Sequence, residues 1–401
     1  MAETRAPFDF LPAEDCRPGV FGDNALKLLP RYLDEHRVSR ILLVTGRSSF
    51  AQSGAASVSR TLAKKTDVLR WCDFSPNPSA DDLLRGLTVL AEFDPDAVVG
   101  IGGGSVLDMA KLLCAFDGVR DLRELHELIT SSYRPTHRRR HMVLVPTTSG
   151  SGSESTHFCV VYVGRQKFSV ASPLLHPDFV ILDPILSNSG SRYQKATSGI
   201  DAVTQAIESI WAVGSTSKSQ FFAVEALRFL TPSLPSWVAG DCELGADVAA
   251  GSHLAGRAID ISKTTGPHAL SYGITTRANV SHGHAVAMTL SAFAQMHVEA
   301  RPSQLQEGLT LADFHSRLNV LSSALGLSDP TQIAGWFIEF CKSLGLSLGL
   351  STIGITEDDD IQALAQEVNV ERLSNNPVAF TQSELKTIVR QSVLKSPRQE
   401  R

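Results

Sequence analysis

A glycine-rich turn between an apolar strand and a helix constrains the fold of this chain most. In DAVVGIGGGSVLDMAKLLCAF (Asp96–Phe116) the residues before the glycines are typical of a buried strand, and those after them carry helical periodicity. Glycine lets the backbone approach phosphate oxygens, and the free N–H groups at the start of the helix favour an anion. The turn is not a GxGxxG motif, so alone it indicates nucleotide binding only weakly.

Strand-like and helix-like segments alternate through the first half of the chain, which indicates a parallel sheet. The further predicted strands are RILLVTG (Arg40–Gly46), DVLRWCDF (Asp67–Phe74) and HMVLVPTT (His141–Thr148), and the further predicted helices are SGAASVSRTLAKKT (Ser53–Thr66) and SADDLLRGLTVLAEF (Ser79–Phe93), the last capped by Ser79. The second half carries helical periodicity almost throughout. We therefore expect an α/β domain over residues 1–190 and an all-α domain over residues 191–401.

A second loop of small residues, PTTSGSGSE (Pro146–Glu154), also follows a predicted strand. Ligands of parallel sheets bind at the carboxyl ends of the strands, so two such loops favour a nucleotide groove at that edge. Two ordinary turns remain the alternative interpretation.

Composition argues against several classes of function. The net charge of −5 gives no basic field, so we expect no nucleic-acid partner, and the basic run Arg134–His141 is interpreted as a solvated loop. No apolar run approaches the ~20 residues of a membrane span, and the N-terminus lacks the apolar region of a signal peptide. The six cysteines include no CxxC pair, which predicts reduced thiols in a cytoplasmic protein.

The stretch GIDAVTQAIESIW (Gly199–Trp211) places Asp201 and Gln205 on one face of a predicted helix. An acid followed by histidine at this spacing would indicate half of a metal site. With glutamine, two interpretations remain: a metal site with an unusual ligand, or a site that has lost its metal. Asp201 alone is also explained as an acidic residue favoured near a helix N-terminus.

Five stretches taken together resemble the iron-containing (group III) alcohol dehydrogenases. They are, in the order of that family, GGGSVLDMAK, PTTSGSGSE, GIDAVTQAIES, GPHALSY and SHGHAVAM. The resemblance implies an N-terminal α/β dinucleotide-binding domain and an all-α C-terminal domain, the dehydroquinate synthase-like fold. It also implies a homodimer.

The resemblance assigns four metal ligands, namely Asp201, Gln205, His268 and His282. Most members have histidine where this chain has Gln205, and an amide oxygen is a weaker ligand than imidazole. We favour a retained divalent metal (iron, zinc or manganese) with Gln205 as a ligand or a close neighbour. His284 is interpreted as a neighbour, and each histidine taken alone is also explained as a core residue.

The nucleotide implied by the resemblance is a nicotinamide cofactor. NAD-using members have an acidic residue where this chain has Gly46, followed by Arg47. Glycine and arginine accommodate a 2′-phosphate, so we expect NADPH in preference to NADH, unless Arg47 simply points to solvent. The other implied cofactor contacts are Gly103, Gly104, Ser105, Asp108, Thr147, Thr148, Ser151, Thr156 and Lys167.

The segments around the third ligand resemble one branch of the family, which includes phosphonoacetaldehyde reductases and a sugar-acid oxidase. Tyr272 stands where many members have a histidine near the nicotinamide, and we expect it to shape the pocket or donate a hydrogen bond. Lys263 is interpreted either as a partner of a substrate phosphonate or as a partner of a carboxylate such as Asp260. His157 is a further candidate pocket residue.

The resulting hypothesis is a metal-dependent reductase that transfers hydride from NADPH to a small anionic aldehyde, with phosphonoacetaldehyde as the favoured substrate. The alternative within the same class is oxidation of a sugar acid or a primary alcohol. A dehydroquinate synthase-like lyase and a metal-free binding protein are the alternatives from other classes.

Overall fold

The computed structural model describes residues 8–131, 133–164 and 166–393. The chain divides into two compact units, Met1–Gly190 and Ser191–Arg401, each with its own core. All six cysteines lie in the described part of the chain and are free thiols. A search of the described helices for one long and apolar enough to cross a membrane finds none.

The first unit contains a six-stranded sheet in which every neighbouring pair is parallel. Its strands and those of a separate hairpin are β1 (Gly19–Phe21), β2 (Arg40–Thr45), β3 (Asp67–Trp71), β4 (Ala97–Gly102), β5 (His141–Pro146), β6 (Phe158–Val163), β7 (Gln166–Ala171) and β8 (Phe179–Leu182). The sheet has the order β1-β8-β5-β4-β2-β3, and β6 pairs with β7 in antiparallel orientation. The expectation of a parallel sheet is confirmed.

Helices cover both faces of this sheet. They are α1 (Leu29–Glu35), α2 (Ser49–Gln52), α3 (Ser59–Leu62), α4 (Ala80–Phe93), α5 (Gly104–Ala115) and α6 (Leu122–Thr130). Successive strand residues point to opposite faces, so Leu42 packs into the core that holds α4 to α6, while Ile41 packs into the core that holds α1 to α3. A strand that is buried on both faces has a continuous apolar sequence. For this reason the sequence predicted these strands.

Two local expectations differ from the structure. The helix expected over Ser53–Thr66 is a 3₁₀ turn at Ala55–Val58 followed by the single turn of α3, because Gly54 has a φ of 81° and the Ser53 hydroxyl accepts the Ala55 N–H at 3.4 Å. The β6–β7 hairpin was not predicted. Its signal is two β-rich runs separated by two residues, the first of them Gly164 with a φ of 59°.

The second unit is helical, and no strand occurs between residues 191 and 393. Its helices are α7 (Arg192–Trp211), α8 (Ser217–Ala239), α9 (Gly245–Ser262), α10 (Gly266–Ala278), α11 (His282–Val298), α12 (Leu311–Ala324), α13 (Ile333–Ser343), α14 (Asp358–Gln366), α15 (Val370–Ser374) and α16 (Gln382–Val393). The expected combination of a parallel α/β part and an all-α part is confirmed.

Candidate active site

Helix α7 carries three polar side chains on one buried face. It begins with a capping box formed by Ser191 and Gln194, which sets the start of the helix. Asp201, Gln205 and Glu208 follow at spacings of four and three residues, so they share one face, and all three are buried. Buried carboxylates are costly unless they are paired or bind a cation, so this face requires a partner.

Two histidines from other helices meet this face. His268 lies in the first turn of α10, and His282 is the first residue of α11. One ligand atom from each of Asp201, His268 and His282 lies within 4.8 Å of the others. Gly283 allows this approach, because a Cβ atom there would overlap the carbonyl oxygen of Thr197 and lie 2.7 Å from the Cβ of Asp201. The structure therefore brings together three of the four predicted ligands.

Glu208 contacts the His268 ring and was not predicted from the sequence. Its Oε1 lies 2.5 Å from His268 Nδ1, and its Oε2 accepts hydrogen bonds from the Thr265 N–H (2.6 Å) and the Thr265 hydroxyl (2.7 Å). The signal was the spacing of seven residues from Asp201, which returns to the same helix face. A carboxylate on the distal nitrogen of a metal-binding histidine is a common arrangement, because it fixes the ring and its tautomer.

The electrostatics of this cluster fit a divalent cation. Asp201 Oδ1 is buried, has no hydrogen-bond partner among the described residues, and faces His268 Nε2 at 3.4 Å. Burial lowers the pKa of His268, but the charges of Glu208 and Asp201 outweigh burial and raise that pKa to about 9. The field that stabilises a proton on this imidazole also attracts a metal ion. One carboxylate, two imidazoles and an amide oxygen form a donor set suited to Fe²⁺ or Zn²⁺.

Gln205 lies one turn from Asp201 and is 3% exposed, so its amide belongs to the same buried face. Both ring nitrogens of His284 have other partners. Its Nδ1 contacts the Tyr193 hydroxyl (3.0 Å), and its Nε2 contacts the Ser347 carbonyl oxygen (2.7 Å). The interpretation of His284 as a neighbour thus agrees with its contacts.

Tyr272 and Lys263 lie at different distances from this cluster. The Tyr272 ring stacks on His282, with 6.1 Å between the ring centroids. Lys263 ends α9 with a φ of 61°, and its ammonium forms an ion pair with Glu371 at 3.0 Å. The structure thus supplies a carboxylate partner other than the Asp260 named from the sequence. A role for either residue toward the substrate stays a prediction.

In the first unit, the two small-residue loops lie side by side. Gly102 at the end of β4 pairs with Pro146 at the end of β5, and the Thr147 N–H donates to the Gly102 carbonyl oxygen at 2.9 Å. A Cβ atom at Gly104 would lie only 2.9 Å from the side chain of Ser151. The glycines are therefore required for the close approach of the loops.

The strand order places the loop after β4, together with the loop after β2, at a switch point of the sheet. Strand β2 lies between β3 and β4. The chain passes from β2 to β3 on one side and then crosses to β4 on the other side. The carboxyl ends of β2 and β4 carry Gly46 and Gly103. In open α/β sheets this crevice is where nucleotides bind. The geometry supports the predicted cofactor positions without testing them.

Several of the predicted cofactor residues also hold the loops in place. Asp108 accepts hydrogen bonds from the Ser153 hydroxyl (2.6 Å) and the Val160 N–H (3.1 Å), and burial raises its pKa. Thr156 is 1% exposed, and Lys111, itself fully buried, donates to its carbonyl oxygen at 2.7 Å and to its hydroxyl at 3.1 Å. Lys111 was not predicted, although a lysine within an otherwise apolar helix is a signal for a buried, hydrogen-bonded role.

The remaining predicted cofactor residues are half-exposed or line these loops. Ser105 accepts a hydrogen bond from the Asn77 N–H at 3.2 Å. Thr147 is buried, Thr148 and Ser151 are half-buried, and Lys167 lies on β7 opposite Tyr162.

The end of β2 is organised by ionic contacts. The Arg47 guanidinium forms an ion pair with Asp73 at 2.7 Å, and both side chains are about two-thirds exposed, at 68% and 65%. Arg70 donates to the Thr45 hydroxyl (2.8 Å) and to the Gly46 carbonyl oxygen (3.0 Å). Arg47 therefore has a protein partner, although an exposed pair of this kind is weak and easily exchanged.

Comparison with known proteins follows this division into two units. The profile described as iron-containing alcohol dehydrogenase matches residues 18–184, and that of the Fe-containing alcohol dehydrogenase family, C-terminal, matches residues 195–393. Long-chain-alcohol dehydrogenase 1 of Geobacillus thermodenitrificans is 29% identical over 79% of this chain and 80% of its own length. Phosphonoacetaldehyde reductase of Streptomyces viridochromogenes is 28% identical over 78% of this chain and 81% of its own length.

A solved structure shows the same likeness. Sulfoacetaldehyde reductase from Bifidobacterium kashiwanohense, in complex with NAD⁺, is 25% identical and superimposes with a TM-score of 0.84 over 95% of this chain and 98% of that chain. The profile matches cover most of both units. The chain therefore belongs to the iron-containing alcohol dehydrogenase family and is an oxidoreductase of the alcohol and aldehyde dehydrogenase class.

Proposed function

We propose that this protein is a metal-dependent, NADPH-preferring reductase of a small anionic aldehyde, with phosphonoacetaldehyde as the first candidate. The observation that carries the proposal is the convergence of Asp201, His268 and His282, with a buried carboxylate oxygen of Asp201 left without a hydrogen bond among the described residues. The family, together with the NAD⁺ bound to one relative, supports iron and a nicotinamide cofactor.

Asp201, His268 and His282 would hold the metal, and Gln205 would supply an amide oxygen as the fourth donor. When bound, the metal supplies Lewis acidity toward a carbonyl oxygen, and the reduced nicotinamide supplies hydride. Glu208 keeps the His268 ring in place, and Tyr272 packs on the His282 ring. The hydroxyl of Tyr272 is the side-chain group that we assign to donating a hydrogen bond toward the substrate oxygen.

The cofactor loops would bind the pyrophosphate through backbone N–H groups. Gly103, Gly104 and Ser105 begin α5, where the free N–H groups favour an anion. At the end of β2, Gly46 leaves no carboxylate against a 2′-phosphate, and Arg47 offers a guanidinium once its exposed pair with Asp73 opens. These two positions support NADPH over NADH.

The proposal also specifies a substrate within the alcohol and aldehyde class. Two of the compared relatives are named for aldehydes that carry a phosphonate or a sulfonate group, and one for long-chain alcohols. We favour the anionic aldehyde, since the branch resemblance in the sequence points the same way. Oxidation of a primary alcohol is the competing function, and the relative named for long-chain alcohols supports it.

The test is an assay of the purified protein with phosphonoacetaldehyde, sulfoacetaldehyde and a long-chain aldehyde, each with NADPH or NADH, before and after chelation. We expect NADPH-dependent reduction of phosphonoacetaldehyde that is lost on chelation and restored by Fe²⁺ or Zn²⁺. Faster turnover of the long-chain substrate would contradict the substrate assignment. Turnover that persists after metal has been shown to be absent would contradict the metal site.

A further inference from the structure

We infer that Trp211 and Thr265 are positioning residues of the metal centre, which act on the ligand His268 through Glu208. The inference rests on the proposed metal site and extends it by two residues that do not reach the metal. Trp211, Thr265 and Glu208 are each 0% exposed. They form a continuous chain of hydrogen bonds that ends on the His268 ring.

The direction of every hydrogen bond in this chain is determined by the donors available. The Trp211 Nε1–H can only donate, and it lies 2.9 Å from Thr265 Oγ1. The Thr265 hydroxyl accepts that bond, so its single proton goes to Glu208 Oε2 at 2.7 Å. Glu208 Oε2 receives a second donor, the Thr265 backbone N–H, at 2.6 Å.

This arrangement leaves Glu208 Oε1 as an acceptor for His268 Nδ1 at 2.5 Å. A proton is thereby held on Nδ1, and Nε2, which faces Asp201, is the nitrogen that would bind the metal. Without the Thr265 hydroxyl, Glu208 Oε2 loses one of its two donors, and the carboxylate as a whole keeps two of its three. We therefore expect Thr265 to control how well His268 is presented, although it lies three residues before the ligand.

This series of hydrogen bonds links segments that are distant in sequence. Trp211 and Glu208 come from the last turn of α7, and Thr265 is the residue before α10. The position of Thr265 is also constrained by its neighbour, because the Gly266 N–H donates to Asn376 Oδ1 at 3.3 Å. A side chain that is locked in this way suits a positioning role, since a loosely held carboxylate would not orient the ring.

The test compares Thr265→Val, which removes only the hydroxyl, with Thr265→Ser, which keeps it. Affinity for Zn²⁺ is measured by competition with a chromogenic chelator, and the absorption bands of the Co²⁺-loaded protein report ligand geometry. We expect Thr265→Val to bind Zn²⁺ about 10- to 100-fold more weakly and to shift the Co²⁺ bands, as loss of a group that supports a ligand does. Thr265→Ser should retain both properties.

Two further variants separate positioning from folding. Thr289→Val is the matched control, because Thr289 is fully buried and, among the described contacts, its hydroxyl bonds only to the Val286 carbonyl oxygen of the same helix at 3.4 Å. It should leave Zn²⁺ affinity unchanged. The double variant Thr265→Val/Trp211→Phe also removes the indole N–H, so no buried N–H is left unpaired, and it should bind Zn²⁺ as weakly as Thr265→Val.

Wild-type affinity for Zn²⁺ in Thr265→Val, or recovery of that affinity in the double variant, would overturn the inference. Failure of the substrate assignment is distinguishable, because it shows as absent turnover while the differences in Zn²⁺ affinity persist. A wild-type protein that binds no metal would overturn both the proposed metal site and this inference.

Discussion

The two candidate binding regions of this protein are built in opposite ways. In the first unit the loops at the ends of β4 and β5 consist of glycine, serine and threonine, and they approach each other because Gly104 lacks a side chain. In the second unit the cluster consists of ionisable groups from three helices, of which Asp201, His268 and Glu208 are buried and His282 is half-buried. Loops of small residues tolerate most substitutions except where a glycine such as Gly104 permits a close approach, whereas a buried ionic cluster does not tolerate the loss of a partner. We therefore expect substitutions in the second unit to have larger effects.

The largest effect is expected for Asp201→Asn. The substitution removes the anionic charge of a side chain whose buried Oδ1 has no hydrogen-bond partner among the described residues, so metal affinity should fall more than about 100-fold, beyond the loss caused by supporting residues. The measurement is metal content after dialysis, together with the metal-induced rise in unfolding temperature. Asp247→Asn is the control, since Asp247 on α9 bonds only to the Ser233 hydroxyl among the contacts described. Full metal retention by Asp201→Asn would remove the contrast between the two regions.

A second effect concerns the buried His297. Burial lowers its pKa from 6.5 to about 3, although its contact with Asn376 opposes this. The folded state therefore excludes a proton that the unfolded chain binds, and the stability contributed is complete above pH 6.5 and lost as pH falls from 6.5 toward 3. Between pH 7.5 and pH 5 this group should cost about 2 kcal/mol.

The check on His297 is the pH dependence of urea unfolding. His297→Phe suits the surrounding rings of Trp211, Phe293 and Phe314 and should flatten that dependence. His315→Phe, at an exposed position of α12, should leave it as in the wild type. An unchanged slope in His297→Phe would show that the buried imidazole does not govern acid stability.

The third prediction sharpens the role of Gln205. Histidine at this position is a stronger donor than an amide, so Gln205→His should tighten Zn²⁺ binding on the order of tenfold. Gln205→Leu, which removes the donor, should weaken it by a similar factor. Chelator competition measures both. Equal affinities in the three proteins would mean that Gln205 does not contact the metal.

The fourth prediction addresses the first unit. A Cβ at Gly46 would overlap the Ser49 hydroxyl, so the double variant Gly46→Asp/Ser49→Ala makes room for a carboxylate. That carboxylate should repel a 2′-phosphate and shift the ratio of kcat/KM toward NADH by about tenfold. Ser49→Ala alone is the control. A ratio unchanged in the double variant would place the adenosine ribose elsewhere.

The smallest effect is expected for Asp73→Asn, which releases Arg47 from its exposed ion pair. Such pairs are worth about 0–1 kcal/mol, so the preference for NADPH should rise by roughly two- to fivefold. Asp34→Asn breaks the exposed pair of Asp34 with Lys65 in the same unit and should change nothing. A loss of NADPH preference in Asp73→Asn would show that the aspartate orients Arg47 rather than competing for it.

The sequence by itself determined the elements whose signal is local. The apolar runs of β2, β4 and β5 and the glycine turn before α5 are periodic patterns, and Ser79 caps α4 as expected, with its hydroxyl accepting the Asp82 N–H at 3.0 Å. The spacing of Asp201 and Gln205 predicted one helix face for the same reason. Side-chain direction along a regular element follows from spacing alone.

Only the tertiary structure decided which partners these residues have. Glu208 and His268 are 60 residues apart, and Arg47 and Asp73 are 26 apart, and nothing in the local pattern specifies either pair. The family resemblance assigns Asp108 and Thr156 to the cofactor, and only the folded chain shows that their oxygens also bond to Ser153 and Lys111. Buried polar groups must find partners wherever packing places them, and that packing is a property of the folded chain as a whole.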